Sequence, residues 1–228
     1  MFETLYKEAV KNDLDVVRSN YYAHRTEERT RRAIIWSKIL LSAVRTTRCF
    51  IQSIILVSLC ASLQFGQAFI KSMLDKEEVR FLPTPGASFQ DTAFYFKAFY
   101  AADRVKLLKD GYLHYRIDNA NSSVKNQNKL FCVCDEYAEV WDYAKRDHEK
   151  FQIIKYWIPR QQYEGYLWNL NRLAPELQQR FYPRYVEEFS KIKAAGLIDS
   201  DRFDSRTLAR LNRMTNDSEA YSWAIWVH

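Results

Sequence analysis

Residues that break regular backbone are scarce in this chain of 228 residues, which contains five Gly and five Pro. Turn-rich β architectures place Gly, Pro or Asn at nearly every reversal of the chain. So few breakers exclude a fold made mostly of short strands and favour long helices. Aromatic residues make up 15% of the chain, which is enough to build a core and is not typical of disorder. We expect a mainly α fold with a minor β element.

Cysteine is also rare, and Cys49, Cys60, Cys132 and Cys134 are too unevenly placed to form a secreted disulfide framework. We predict a strand over residues 129–137, in which Cys132 and Cys134 lie on one face because alternate side chains point the same way. With His114 or His148 they could bind a metal ion. The second ligand pair of a typical zinc site is missing, so we predict no metal site.

Motifs of catalytic sites are missing as well, since the sequence has no GxSxG, no HExxH and no Walker loop. Four acidic residues at near-helical spacing could act as paired carboxylates, but an exposed helix face with local ion pairs is the simpler interpretation. They are Asp135, Glu136, Glu139 and Asp142. We therefore predict a non-enzymatic protein without catalytic residues or a cofactor. An enzyme using Cys132, Cys134 or His148 is a minor alternative.

The longest uncharged run covers residues 49–70, between Arg48 and Lys71. At 1.5 Å per residue a helix of this length reaches about 33 Å, enough to cross the hydrocarbon core of a membrane. We predict a single-pass transmembrane helix at 49–70. The alternative is a buried central helix of a soluble bundle, which the polar residues Gln52, Gln64 and Gln67 would suit.

Positive charge is concentrated just before that run. Residues 18–48 contain eight basic and two acidic residues. The net charge of this stretch, +6, equals the net charge of the whole chain. We interpret residues 1–48 as a basic amphipathic N-terminal arm, helical over residues 1 to about 32, with an interfacial helix at 33–44. The charge asymmetry places the N-terminus on the cytoplasmic side of an inner membrane. Anionic lipid headgroups would bind Arg25, Arg29, Arg31 and Arg32. Nucleic acid is the alternative partner of these arginines.

The remaining chain divides into a linker at 71–88 and an aromatic-rich, mainly helical domain at 89–228. We predict helices at 89–111, 138–155, 159–180 and 183–195, and strands at 112–118 and 129–137. Gly196 has the position of a left-handed C-terminal cap with Leu197 folding back on the helix. Asp199 or Ser200 would then cap a second helix, so that the two helices form a hairpin.

Tyr and Trp bring large contact areas with polar tips, and they dominate many protein interfaces. The aromatic residues of the C-terminal domain, Phe89 and Trp168 among them, therefore suggest a protein partner. We predict an accessory, assembly or interaction component of a membrane complex. Its layout resembles the inner-membrane scaffold subunits of bacterial secretion and conjugation machines, which would make it a component of such a system. The competing hypothesis is a soluble helical nucleic-acid-binding protein in which residues 49–70 are buried.

Overall fold

The computed structural model describes residues 1–24, 32–33, 67–83, 89–116 and 129–216. The chain forms two compact units, of which unit 1 contains residues 1–83 and 90–122, and unit 2 contains residues 84–89 and 123–228. Helices dominate the described residues, and the strands form one small sheet. The predicted fold class, mainly α with a minor β element, is confirmed at this level.

The sheet of unit 1 is built around strand β1, Val16–His24. On one side β1 pairs antiparallel with the short strands β2, Arg32–Ala33, and β3, Gln67–Phe69. On the other side it pairs in parallel with the long strand β4, Val105–Arg116. The parallel register shifts between Arg18 and Tyr21, which marks a bulge in the ladder. Strand β1 is thus the central strand of the sheet.

The described part of unit 1 contains three helices, namely α1, Phe2–Asn12, α2, Lys71–Lys76, and α3, Gln90–Ala101. Helix α1 buries Leu5 and Ala9 in a cluster with Leu14 and Val17. Helix α3 buries most of its aromatic side chains, and the ring of Phe69 in β3 meets the ring of Phe94 edge-on at 5.5 Å. Apolar contacts therefore attach helices to a sheet whose strands are far apart in sequence.

An acidic side chain joins the start of β1 to the start of β4. The Asp15 carboxylate accepts hydrogen bonds from the backbone N–H groups of Asp103, at 3.0 Å, and Arg104, at 2.8 Å. The Arg104 guanidinium donates to Asp15 and also pairs with Asp13, which ends α1 in the left-handed conformation with φ 51°. These bonds fix the register in which the two parallel strands begin.

Unit 2 is helical throughout its described residues. Its α-helices are α4, Cys132–Ala144, α5, His148–Ile154, α6, Ile158–Arg172, α7, Pro175–Ala194, and α8, Ser205–Asn216. A short 3-10 helix, Ser200–Arg202, precedes α8. Five aromatic side chains with at most 1% exposure form the core between α6 and α7. They are Tyr163, Tyr166, Phe181, Tyr185 and Phe189.

A polar network joins α4, α6 and α7 beside that aromatic core. The Glu188 carboxylate accepts hydrogen bonds from Gln162 Nε2 at 3.0 Å, from Arg184 Nε at 2.5 Å and from the Tyr166 hydroxyl. Gln162 Oε1 accepts in turn from the indole N–H of Trp141 at 2.9 Å. The network provides hydrogen-bond donors for a carboxylate that is only 17% exposed. It also fixes the orientation of the three helices about their axes.

The predicted helical hairpin near the C-terminus is confirmed. Gly196 is left-handed, with φ 68°, and the backbone N–H of Leu197 reaches back to the carbonyl of Ile192 at 3.1 Å. The predicted cap at Asp199 caps the 3-10 helix, while Asp204 caps α8 by accepting from the N–H of Thr207 at 2.9 Å. The hairpin is thus formed by α7 and α8.

The prediction of a transmembrane helix at 49–70 is wrong. Its last residues form β3, which pairs with β1 inside the sheet. Within the described residues, no helix has both the length and the apolar character that crossing a membrane requires. An uncharged run is compatible with a strand as well as with a helix, and the three residues of β3 are too few for periodicity to separate the two. The predicted single-pass membrane localisation and cytoplasmic N-terminus depended on this helix, so these predictions are wrong as well. Residues 34–66, which include most of the predicted interfacial helix and residues 49–66 of the predicted transmembrane helix, lie outside the described residues.

Four other predicted elements differ from the structure. The N-terminal helix stops at Asn12, and β1 follows, because residues such as Val16, Val17 and Tyr21 favour a strand. The helix predicted to end at Gly111 ends at Ala101, and Gly111 belongs to β4. The predicted strand at 129–137 is the beginning of α4. Pro183, predicted to start a helix, lies inside α7.

Candidate functional site

The two cysteines suggested as metal ligands do not share a face. Cys132 and Cys134 lie in the first turn of α4. Side chains two positions apart on a helix point in directions about 200° apart around its axis. Both are at most 5% exposed. Burial raises the pKa of the Cys134 thiol to about 12, which keeps it protonated and unreactive at neutral pH. Among the residues that the structure describes, no group of three or more His, Cys, Asp and Glu side chains could hold a metal ion.

The suggested histidine ligands lie elsewhere. His114 belongs to β4 in unit 1 and stacks on the ring of Tyr22, with centroids 5.1 Å apart. His148 is the exposed first residue of α5. Neither histidine joins the cysteines in a cluster.

The four acidic residues of α4 differ in burial. Asp135 and Asp142 are exposed and Glu139 is half-buried. Asp142 pairs with Lys145 at 3.4 Å, as an exposed helix face with local ion pairs requires. Glu136 is instead fully buried, so it does not belong to that exposed face. The structure therefore does not assemble these carboxylates at one surface.

The arginines suggested for lipid or nucleic acid are mostly beyond the described residues. Arg25, Arg29 and Arg31 lie outside them, and Arg32 pairs through its backbone with Ala23 in the β1–β2 ladder.

The aromatic side chains suggested as a contact surface are largely in the two cores. Trp168 is the main exception, with 56% of its surface exposed on α6. It packs with Phe89 and Arg172, and we call these three residues the Trp168 cluster. The rings of Phe89 and Trp168 meet edge-on with centroids 5.4 Å apart. The Arg172 guanidinium carbon lies 4.5 Å from the Phe89 centroid and 4.6 Å from the Trp168 centroid.

Local sequence explains most of this arrangement. Trp168 and Arg172 are four residues apart on α6, so their side chains meet on one face of the helix. Arg172 is the last residue of α6, where a cation is stabilised by the helix dipole. Phe89 comes from a distant part of the chain and has φ 64°, a left-handed conformation that is rare and strained for an aromatic residue.

A buried amide holds the Arg172 guanidinium in place. Asn169 Oδ1 accepts from Arg172 Nε at 3.1 Å and from Nη2 at 3.0 Å. Asn169 is fully buried and donates from Nδ2 to the carbonyl of Leu130 at 3.3 Å. Burial lowers the pKa of Arg172 to about 10, so the group stays charged at neutral pH in a partly desolvated position. No Asp or Glu of the described residues forms an ion pair with it.

A second candidate group, Asp91, lies in unit 1 at the start of α3. Burial raises the pKa of Asp91, although the backbone N–H groups of Asp91 and Thr92 oppose the shift. Burial also raises the pKa of Tyr95. The charge of Asp91 raises this pKa further, and the charge of the buried Arg18 on β1 lowers it. Asp91 therefore holds its proton more tightly than an exposed carboxyl does, which makes it a candidate acid–base group.

Known proteins offer no guide to these clusters, since neither a protein-family model nor a curated protein matches the chain.

Sequence reasoning included Phe89 and Trp168 among the contact aromatics but missed Arg172, Asn169 and Asp91. The spacing of Trp168 and Arg172 on a predicted helix was a usable signal for the stacked pair. Asp91 had no such signal, because its pKa depends on burial by residues remote in sequence.

Proposed function

We propose that this chain is a non-enzymatic interaction protein, an accessory or assembly component of a complex, whose protein partner binds the Trp168 cluster. The exposure of Trp168 carries the proposal. This large aromatic ring is 56% exposed beside a core whose rings are at most 1% exposed. Trp and Arg are the residue types that most often dominate the energy of protein interfaces.

The cluster is suited to binding because it is already ordered. Trp168 and Arg172 are on a helix, and the buried Asn169 fixes the guanidinium from behind. Side chains held in this way lose little conformational entropy when a partner covers them. Covering the exposed part of Trp168 would contribute about 2 kcal/mol or more to association, the scale of an interface hot spot.

The test compares capture of partners from the source cells by three forms of the protein. The wild type is compared with Trp168→Ala and with a control, Ile153→Ala, which truncates a 38% exposed apolar side chain on α5. Equal far-UV circular dichroism shows that all three are folded. We expect the same partner with the wild type and with Ile153→Ala, and at least 10-fold less of it with Trp168→Ala. Equal capture by all three forms, or no capture by any, would overturn the proposal.

Acid–base chemistry at Asp91 is a second candidate function, favoured by the burial that raises the pKa of this carboxyl at the start of α3. The test is a ¹³C NMR titration of the carboxyl groups, with Asp91→Asn to assign the signal. A titration of Asp91 above the range of exposed aspartates supports the candidate, whereas an ordinary or lowered pKa removes it.

A further inference from the structure

We infer that the Trp168 cluster is a carboxylate-binding site, in which Arg172 takes a Glu or Asp side chain from an acidic segment of the partner. The inference rests on the proposed function and adds the chemical group that the site recognises.

The hydrogen bonds of Arg172 leave one edge of the guanidinium open. A guanidinium has five N–H groups, and Asn169 Oδ1 takes the N–H of Nε and one N–H of Nη2. The remaining N–H groups, one on Nη2 and two on Nη1, include the parallel pair along the outer edge. That pair matches the two oxygens of a carboxylate in a bidentate bond.

The surroundings of the guanidinium favour an anion of single charge. Phe89 and Trp168 lie against Arg172 and remove water from it. A charge in such a place is stabilised when a charge of opposite sign with matching hydrogen bonds approaches. A charge-assisted bond is also stronger beside apolar rings than in open water.

Nucleic acid fits this site less well than an acidic protein segment. Proteins bind nucleic acid by neutralising several phosphates along a basic groove. Residues 165–176, which carry Trp168 and Arg172, have Arg172 as their one basic residue and Glu176 as their one acidic residue. A single cation between two rings matches one carboxylate and does not follow a phosphate backbone.

The experiment follows the Trp168 indole N–H in ¹H–¹⁵N spectra of the full chain. The probes are a synthetic 12-residue peptide with four Glu residues, the same peptide with Gln at those four positions, and inorganic phosphate. We expect the Glu peptide to shift the Trp168 signal, the Gln peptide to leave it unchanged, and phosphate to bind at least 10-fold more weakly than the Glu peptide.

Two variants test the role of the guanidinium. Arg172→Lys keeps the charge but has no bidentate fork, and it should weaken Glu-peptide binding about 10-fold. Arg172→Gln removes the charge and should abolish binding, whereas Ile153→Ala should bind as the wild type does. Equal shifts with both peptides, unchanged binding by both Arg172 variants, or phosphate as strong as the Glu peptide would overturn the inference.

The outcome for the carboxylate site is separable from the outcome for the proposed function. If Trp168→Ala loses the cellular partner but neither Arg172 variant does, the interaction surface stands and the carboxylate site is wrong. If Trp168→Ala keeps the partner, the proposed function fails whatever the peptides do.

Discussion

The polar network around Glu188 allows a quantitative test of what stabilises unit 2. In Tyr166→Phe the ring stays in the core but the hydroxyl that donates to the Glu188 carboxylate is lost. Burial raises the pKa of Tyr166 well above its ordinary range, so the hydroxyl remains a donor at all working pH values. A hydrogen bond to a charged group contributes about 1.5–3 kcal/mol. Because Gln162 and Arg184 still donate to Glu188, we expect a loss of about 2 kcal/mol.

Tyr185→Phe is the matched control. Tyr185 is as deeply buried as Tyr166, and its hydroxyl donates to the carbonyl of Tyr163 at a longer distance of 3.3 Å. A bond between neutral groups at this distance is expected to contribute about 0.5–1 kcal/mol. The free energies of unfolding would be measured by urea denaturation with linear extrapolation. If Tyr166→Phe is no more destabilising than Tyr185→Phe, the charged network does not stabilise unit 2 in the way described.

Three further predictions concern single sites. In Gly165→Ala the new Cβ would lie 2.9 Å from the buried Tyr137 ring, so thermal denaturation should show a net loss of about 1 kcal/mol despite the better helix propensity of Ala. Asp15→Ala removes the acceptor of two backbone N–H groups and should lower the free energy of unfolding by about 2 kcal/mol in urea denaturation. The control Asp13→Asn, at an exposed ion pair, should change it by under about 0.5 kcal/mol. Equal effects of the two substitutions would contradict the account of Asp15. Burial raises the pKa of the Cys134 thiol from its ordinary 9.0 to about 12, so its contribution to stability is complete below pH 9 and falls as the pH rises towards 12. Iodoacetamide at pH 8, read by peptide mass spectrometry, should modify Cys134 in urea but not in the native protein.

The elements that sequence predicted correctly are those defined by local chemistry. The hairpin of α7 and α8 depends on the left-handed Gly196, which sequence predicted. The predicted Asp199 caps the 3-10 helix, and Asp204, which was not predicted, caps α8. The coarse fold class was predictable because the chain as a whole contains five Gly and five Pro, too few for a fold made mostly of short strands.

The sheet was not predictable in the same way because its pairings are distant. Leu5, Ala9, Leu14 and Val17 have helical spacing in sequence, yet α1 ends before Leu14, and Val17 joins the same cluster from a strand. The uncharged run at 49–70 gave no sign that its end pairs with β1, since the three residues of β3 are too few to show the alternation that reveals a strand.

The candidate site was predictable in its aromatic residues but not in Arg172, Asn169 or its geometry. Aromatic richness pointed to a contact surface, and Trp168 is part of it. Which aromatics are exposed depends on tertiary packing: Tyr166, two residues before Trp168, is fully buried. The position of the Arg172 guanidinium depends on the ring of Phe89, which comes from another part of the chain, and on its hydrogen bond to the buried Asn169.

The parallel pairing of β1 with β4 has a consequence for the order of folding. Asp15 and Arg104, which begin the two strands, are 89 residues apart, whereas Tyr166 and Glu188 in unit 2 are 22 residues apart. Closing the longer loop costs more chain entropy, so contacts of high sequence separation form slowly. During synthesis β1 leaves the ribosome long before β4 exists to pair with it. The unpaired edge of β1 is then the part of the nascent chain most open to association with other chains, and chaperone binding would be expected to concentrate there.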